Sequence, residues 1–477
     1  MSFFCNFGSL RIQYPQSSNS EVRPPWAKGF GSVRGPNSPG CRASPMPGTS
    51  IRSKQVSVVM NSLSNVVIVG AGPYGLSMAA HLKAKHVDFR IFGTPMRSWY
   101  EHCPKGMRLK SEGFASDLHA PGGAFPLSQY CAEHGIPYGD VGVPISAATF
   151  VNYGLEFQRR YVPELEDRQV TQVEQAGEIF RLWLDSGECV DARAVVIGTG
   201  LHYYSSIPEV LAGLPDNVRS HSWDCSVLEN FAGRHVAVIG AGASALNSAA
   251  ALLSGNASVT LLARRNAIDF QSPPDPNPRT LRERIRWPQT GLGTGWRSVL
   301  SCEAPLLIQR LPVTIRHEFV RNHLGPAPGW FVREQVVGPI QFQTGVTLSR
   351  AEMRGDGVAL HATRQDGEPL VVEADHVVAA TGFNIDARKL AFLSPELLSK
   401  LRLENFKPAL SGNFESSIRG LYFVGPAAAF SLGPLLRFAY GAGFAAQRVS
   451  RHLAPSRAKP HRAWMGTAAS SQASSVT

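Results

Sequence analysis

The feature that most restricts what this chain can become is a glycine-rich turn that occurs twice. The first copy is Val66-Val67-Ile68-Val69-Gly70-Ala71-Gly72-Pro73-Tyr74-Gly75, and the second is Val236-Ala237-Val238-Ile239-Gly240-Ala241-Gly242-Ala243-Ser244-Ala245. Each is a short apolar run rich in β-branched residues, then Gly-x-Gly-x-x-(Gly/Ala), then an Ala/Leu-rich helical stretch. That is the strand, turn and helix context of a dinucleotide-binding unit. The first glycine permits the tight bend, the second lets backbone approach a pyrophosphate with no Cβ in the way, and a small third residue lets helix and strand pack closely. The pyrophosphate then rests on the amides at the positive end of the helix. On this reading Gly70, Gly72, Pro73, Tyr74 and Gly75 hold one dinucleotide, and Gly240, Gly242, Ser244 and Ala245 hold a second. One such turn is a weak signal; two in correct context imply electron transfer between two cofactors.

A chain of 477 residues has room for two or three domains, and 43% hydrophobic content is enough for their cores. No apolar run approaches the roughly 18 residues of a membrane-spanning helix. The formal charge of +11 suggests nucleic acid until it is located. Residues 1–59 carry seven Lys/Arg against one acid and residues 448–477 five against none, so the stretch between them is formally neutral. A basic groove for DNA or RNA is therefore not expected, and the ends read as solvated tails. Residues 1–59, rich in Pro, Ser, Gly and Arg, are expected to be a disordered leader, and 456–477, Ala/Ser-rich, a disordered tail. The leader has no apolar h-region. Its Arg- and Ser-rich composition allows an organellar transit peptide, its prolines argue against an amphipathic helix, and Met60 is the alternative natural start. The seven cysteines, Cys5, Cys41, Cys103, Cys131, Cys189, Cys225 and Cys302, form no Cys-x-x-Cys pair. Free thiols in a reducing, cytoplasmic setting are expected, with no redox disulfide and no metal site.

Along the chain, a helix from about Pro73 to Lys85 leads to a second strand, Phe89–Phe92. There Gly93 occupies the position where an acidic residue usually holds the adenosine ribose. The matching strand of the second unit, Ser258–Ala263, ends in Arg264-Arg265, whose planar forks suit the 2′-phosphate of NADPH; NADH stays possible. Two further apolar strands end in Thr-Gly bends, Ala194–Ile197 before Gly198-Thr199-Gly200 and His376–Ala380 before Thr381-Gly382-Phe383. They bracket the second unit, so that unit is inserted into the first. The expected fold is α/β: two doubly wound, Rossmann-like domains, the NADPH domain (206–375) inserted into an FAD domain (60–205 and 376–455). A last strand, Leu421–Val424, runs into Gly425-Pro426, and a helix is expected from about Gly433 to Arg451 with its amino end toward the flavin. Gly200, Thr381, Gly382 and Gly425 join the cofactor-binding set.

The double fingerprint, the Thr-Gly bends and the insertion order, over roughly residues 63–452, resemble the flavin-containing monooxygenase superfamily. Met107-Arg108-Leu109-Lys110, Pro126 to Tyr130 and Pro144 to Tyr153 are similar in layout to its N-hydroxylating branch, which acts on amines such as lysine and ornithine. The resemblance implies FAD, NADPH and O2, with one oxygen atom passed to a small organic substrate through a C4a-hydroperoxyflavin, as N- or S-hydroxylation or a Baeyer–Villiger reaction. It puts Lys110 near the flavin as the candidate catalytic residue and Trp99 against the cofactor. Lys110 then hydrogen-bonds the flavin or is a surface lysine, and Trp99 covers the ring or is an ordinary packed aromatic. Two features depart from the pattern. Ser146-Ala147-Ala148-Thr149 stands where the amine hydroxylases carry an Arg, and only His221, between Ser220 and Ser222, stands near the place of the Phe-x-Gly-x-x-x-His signature. Residues 101–160, with Phe114, Phe125, Tyr130, Tyr138 and Phe150, are the expected substrate wall, which suggests an uncharged or partly apolar substrate. Arg279, Arg282, Arg284, Arg286 and Arg297 bind an acidic substrate or NADPH phosphates, or simply face solvent. The alternatives are an FAD/NAD(P)H reductase serving a quinone or protein acceptor, against which Gly425-Pro426 replaces the usual Gly-Asp, and a non-enzymatic FAD-bearing sensor.

Overall fold

The computed structural model describes residues 63–224, 228, 230–275, 279–325 and 327–454. The expected leader and tail, the Met60 start, and Cys5, Cys41 and Cys225 lie outside the described residues. The β-branched run before the first turn forms strand β1 (Ser64–Val69), Pro73 opens helix α1 (Pro73–Ala84), and the chain returns as β2 (Phe89–Phe92). A proline suits the first helical turn because the amide it lacks has no intrahelical partner there. Every residue of α1 from Pro73 to Leu82 is buried, so only its last two residues, Lys83 and Ala84, meet solvent and the helix is packed on all sides before them. Helix α2 (Ala147–Tyr161) is capped by Ser146, whose Oγ accepts from the Thr149 amide at 2.9 Å. The Ser-Ala-Ala-Thr departure from the amine-hydroxylase pattern is thus a helix cap in this chain.

Strands β3 (Val170–Ala176), β4 (Ile179–Leu184) and β5 (Cys189–Ile197) form an antiparallel meander whose last strand changes partners. The first half of β5 pairs with β4, and its apolar second half runs parallel to β1. The chain then enters a second sheet with β6 (Arg219–His221), β7 (His235–Ile239), helix α3 (Ala243–Ser254) and β8 (Ser258–Ala263). Four short helices follow: α4 (Leu281–Arg286), α5 (Trp296–Glu303), α6 (Pro305–Gln309) and α7 (Val313–Asn322). Strand β9 (Gln341–Thr344) joins the sheet, β10 (Val346–Arg354), β11 (Gly357–Arg364) and β12 (Pro369–Ala374) make an antiparallel layer, and β13 (His376–Ala379) completes the parallel order β9-β8-β7-β13-β6. Finally β14 (Leu421–Phe423) pairs parallel with β5, and helix α8 (Ala442–Leu453) packs on α1.

The insertion is as expected, but three details differ. Strand β13 pairs with β7 from His376↔Val236 to Ala379↔Ile239, so it belongs to the inserted sheet and the chain leaves that domain after it, not at 376. The two crossings lie side by side, with Ser206 N donating to Gly382 O at 3.2 Å and Asn384 N to Tyr204 O at 2.8 Å. Next, residues 206–375 are not one domain, because α5–α7 pack on the first. Buried Arg316 ion-pairs with Glu404 and donates to Phe430 O at 2.7 Å, and Gln309 donates to Leu410 O at 2.9 Å. Last, the helix expected from Gly433 starts at Ala442. Gly433 has φ 110, residues Pro434–Arg437 form only a short 3-10 turn, and the carbonyls of Leu436 and Phe438 are taken by the Tyr74 hydroxyl.

Candidate functional site

The two glycine turns have the same construction. Gly70 has φ 113, and a Cβ there would stand 2.5 Å from Gly198 O; Gly240 has φ 144, and a Cβ there would stand 2.3 Å from Ala380 O. Each turn is therefore pressed against the end of the next strand of its own sheet. At the third position a Cβ on Gly75 would meet Gly70 O at 1.9 Å, whereas the second turn takes Ala245. Gly72 is the opposite case: a Cβ would meet nothing within 4 Å, and the residue borders an open cleft. A cradle closed behind and open in front, at the positive end of α1, suits a pyrophosphate. Gly93 has φ 135 and sits 3.1 Å, by its would-be Cβ, from Ala71 N, so an acidic side chain at that position would strain the backbone and crowd the first turn.

The cleft encloses about 470 Å³ and draws its walls from both domains. The first contributes the turn Gly70–Tyr74, Trp99, Lys110, Gly200 and Gly425; the second contributes Ser244, Asn247 and Ser248 from the start of α3, and Phe331. Among the described residues its lining contains no aspartate or glutamate but includes Arg97, Arg108, Lys110 and Arg437. Arg97 is paired with Glu101 at 2.6 Å. Lys110 has no such partner among the described residues, and burial, then the neighbouring Arg437, pull its pKa down. Burial does the same to Arg437, which donates to Val320 O at 3.0 Å and His323 O at 3.2 Å and so ties α7 to the cleft wall. His102 stacks on Trp223 at 4.0 Å, and His202, whose pKa is lowered by burial and then by the His102 ring, lines the cleft beside them. Cys103 is the one cysteine of the lining, and burial pushes its thiol up to about 12, far from a reactive thiolate.

The other expected residues divide cleanly. Trp99 borders the cleft with its ring packed on Phe150 at 4.7 Å. Tyr74 lines it too, but its hydroxyl donates to Phe438 O at 2.7 Å and serves as an anchor. Gly75, Gly240, Gly242 and Ala245 are not part of the lining, Gly75 and Ala245 being buried and Gly240 and Gly242 half-buried, and Arg264 and Arg265 are exposed beyond the end of β8. Thr381 and Gly382 form the crossing: Thr381 Oγ1 donates to Ser206 O, and Gly382 O accepts from His221 Nε2 at 3.0 Å. Of the five aromatics expected in the substrate wall only Phe150 reaches the cleft; Phe125 and Tyr130 are core, and Phe114 and Tyr138 lie elsewhere. None of the arginines between 279 and 297 reaches it. Sequence reasoning missed Arg437, Phe331, Trp223 and Asn247. Only Asn247 had a signal, three residues after Ser244 and hence on the same helix face. The free thiols Cys103, Cys131, Cys189 and Cys302 form no disulfide among the described residues.

Residues 67–286 match the family model described as pyridine nucleotide-disulphide oxidoreductase. Fold and site together define the class by its architecture: two Rossmann-like domains, one inserted in the other, with a cleft lined by both. Among solved structures the chain is similar to the reduced form of ornithine hydroxylase from Pseudomonas aeruginosa, with 17% identity, 82% of this chain and 99% of that chain covered, and a TM-score of 0.66. It is also similar to the flavin-containing monooxygenase from Stenotrophomonas maltophilia, with 19% identity, coverage of 83% and 98%, and a TM-score of 0.54. At these identities the likeness is one of fold. Ferredoxin–NADP reductase 2 from Chloroherpeton thalassium is 25% identical over 212 residues, 43% of this chain, and the match spans only 53% of that protein.

Proposed function

We propose that this chain is an FAD-dependent, NAD(P)H-consuming monooxygenase that transfers one oxygen atom of O2 to a small organic substrate. The observation that supports it most is a cleft lined on one side by the first glycine turn and on the other by the start of α3 (Ala243 and Ser244), with a half-buried lysine that has no acidic partner among the described residues and no acidic residue in the lining. FAD is held with its pyrophosphate on Gly70–Pro73; NADPH is held on Gly242–Ser244, with Asn247 and Ser248 beside it. When bound, NADPH supplies hydride and FAD supplies the activation of oxygen. The protein's part is to orient the substrate and exclude water, and Lys110 supplies a desolvated positive charge and hydrogen-bond donors to whatever negative charge develops there. Arg264 and Arg265 are the residues placed by sequence to meet a 2′-phosphate.

The 25% identity to a ferredoxin–NADP reductase supports the second reading, a reductase serving an external acceptor. Thiol–disulfide chemistry is disfavoured, since desolvation pushes the half-buried Cys103 thiol up to about 12 and it has no cysteine partner among the described residues. The purified protein, reconstituted with FAD and NADPH under 18O2, is screened with amines, thioethers and ketones. Label in the product establishes the monooxygenase. Flavin reduction that runs only to added acceptors, with no label and no near-ultraviolet transient on reoxidation, gives the reductase instead.

A further inference from the structure

We infer that residues 279–300 form a docking surface for an anionic lipid membrane, a property independent of the reaction proposed above. Seven consecutive residues, Leu281 to Trp287, are exposed. Leu281 is 73% exposed, Ile285 62%, Trp287 55% and Trp296 63%, an unusual amount of bare aliphatic and indole surface for one segment. Leu281 and Ile285 lie one turn apart on α4, and Trp287 packs against Gly295, next to Trp296: a Cβ on Gly295 would be 3.6 Å from the Trp287 ring. The apolar groups are therefore grouped, not scattered.

Positive charge surrounds them. Arg282, Arg284 and Arg286 flank the Leu281/Ile285 face, Arg279 and Arg297 extend it, and Glu283 is the only acid between 279 and 302. Glu283 is already occupied, accepting from Thr280 N and Thr280 Oγ1 at 2.8 Å each in the helix cap. The surface is firmly seated: Leu292 is buried and Gly291 lies on the Tyr440 ring, where a Cβ would come within 2.4 Å. Tyr440 directly follows Ala439 of the cleft wall.

Charge decides the occupant. A two-fold contact with a second copy would set this patch against itself, arginine facing arginine. A rigid acidic protein would need a concavity to match a helix exposed on every residue, whereas a bilayer conforms to it. Tryptophan, aliphatic and arginine side chains on one convex element are the composition that partitions into a lipid interface. No helix among the described residues is long and apolar enough to cross a membrane, so the attachment is peripheral.

The test is flotation of the full, FAD-loaded chain with vesicles of phosphatidylcholine alone or mixed with phosphatidylglycerol. The expected result is binding to the mixed vesicles only, reversal by salt, and a blue shift of tryptophan emission. Residues 1–59 are also basic, so variants carry the test. Trp287→Ser with Trp296→Ser, and separately Arg284→Gln with Arg286→Gln, are each expected to weaken partitioning at least about tenfold while keeping the wild-type melting temperature. Variants that float like the wild type would overturn the inference, as would a wild type that does not float. So would association of the chain in sedimentation, lost in the variants, with no vesicle binding, because the patch would then join copies of the chain.

Discussion

At the scale of single residues, Gly70 and Gly72 stand two positions apart and do opposite work. Gly70 is held by what lies behind it, so Gly70→Ala forces a left-handed φ on a side chain that also strikes Gly198 O; a loss of about 2 kcal/mol or more is expected, seen as a lower melting temperature of the apoprotein. Gly72 is held by nothing, so Gly72→Ala is expected to keep the apoprotein's melting temperature and to lose flavin, measured as FAD released on dialysis. If both variants lose only stability, the turn is not a pyrophosphate cradle. Lys110 makes the same separation between fold and function. A half-buried, partly desolvated cation with no acid beside it among the described residues costs stability, so Lys110→Met is expected to raise the apoprotein's melting temperature while slowing substrate-coupled NADPH oxidation at least tenfold. All three positions are legible in the sequence because each belongs to a contiguous motif. Arg437 was not, because its role comes from carbonyls on α7, over a hundred positions earlier in the chain.

At the scale of elements, α1 is joined to the loop before Pro121 by a histidine pair. His81 Nε2 lies 2.9 Å from His119 Nδ1, the rings stack at 5.1 Å, and Gln447 of α8 reaches His119 from the other side at 3.3 Å. Burial, then His119, pulls His81 down to about 4. The folded state thus binds its proton later than the unfolded chain, whose ordinary value is near 6.5. Between those values the unfolded chain holds more protons, so this contribution to stability is present above pH 6.5 and is lost as pH falls toward 4. Melting temperature is expected to drop through that window, and His81→Gln to make the drop shallower; an unchanged slope would mean that the other buried histidines carry it. The parallel strands were legible because an apolar run ending at a glycine bend is a local pattern. The seat of α5–α7 was not, since it rests on Arg316 meeting Glu404 and Phe430 O across the domain boundary. Removing one partner leaves a buried charge uncompensated, so Arg316→Ala is expected to cost about 3–5 kcal/mol in chemical denaturation.

At the scale of the whole molecule, the cleft has to be assembled from two domains joined by two strands of chain. One wall carries the first glycine turn, Trp99 and Lys110, and the other carries Ser244, Asn247 and Phe331. The connection is a short ribbon: Ser205 bridges Phe383, Ser206 N donates to Gly382 O, and His221 binds the same carbonyl through Nε2 while its Nδ1 accepts from Trp223 N at 3.0 Å. Gly382 O is thus held from both sides, and through Trp223 the ribbon is coupled directly to the lining of the cleft. Ser206→Pro removes the donated amide without touching either glycine turn, so the first domain is expected to retain FAD as the wild type does. The second wall is expected to lose its register. Hydride transfer depends on placement within a few tenths of an ångström, and flavin reduction by NADPH, followed by anaerobic stopped flow, is expected to slow by roughly 10²-fold. An unchanged reduction rate with normal FAD content would show that the two domains are oriented by contacts other than the ribbon, with α5–α7 the next element to test.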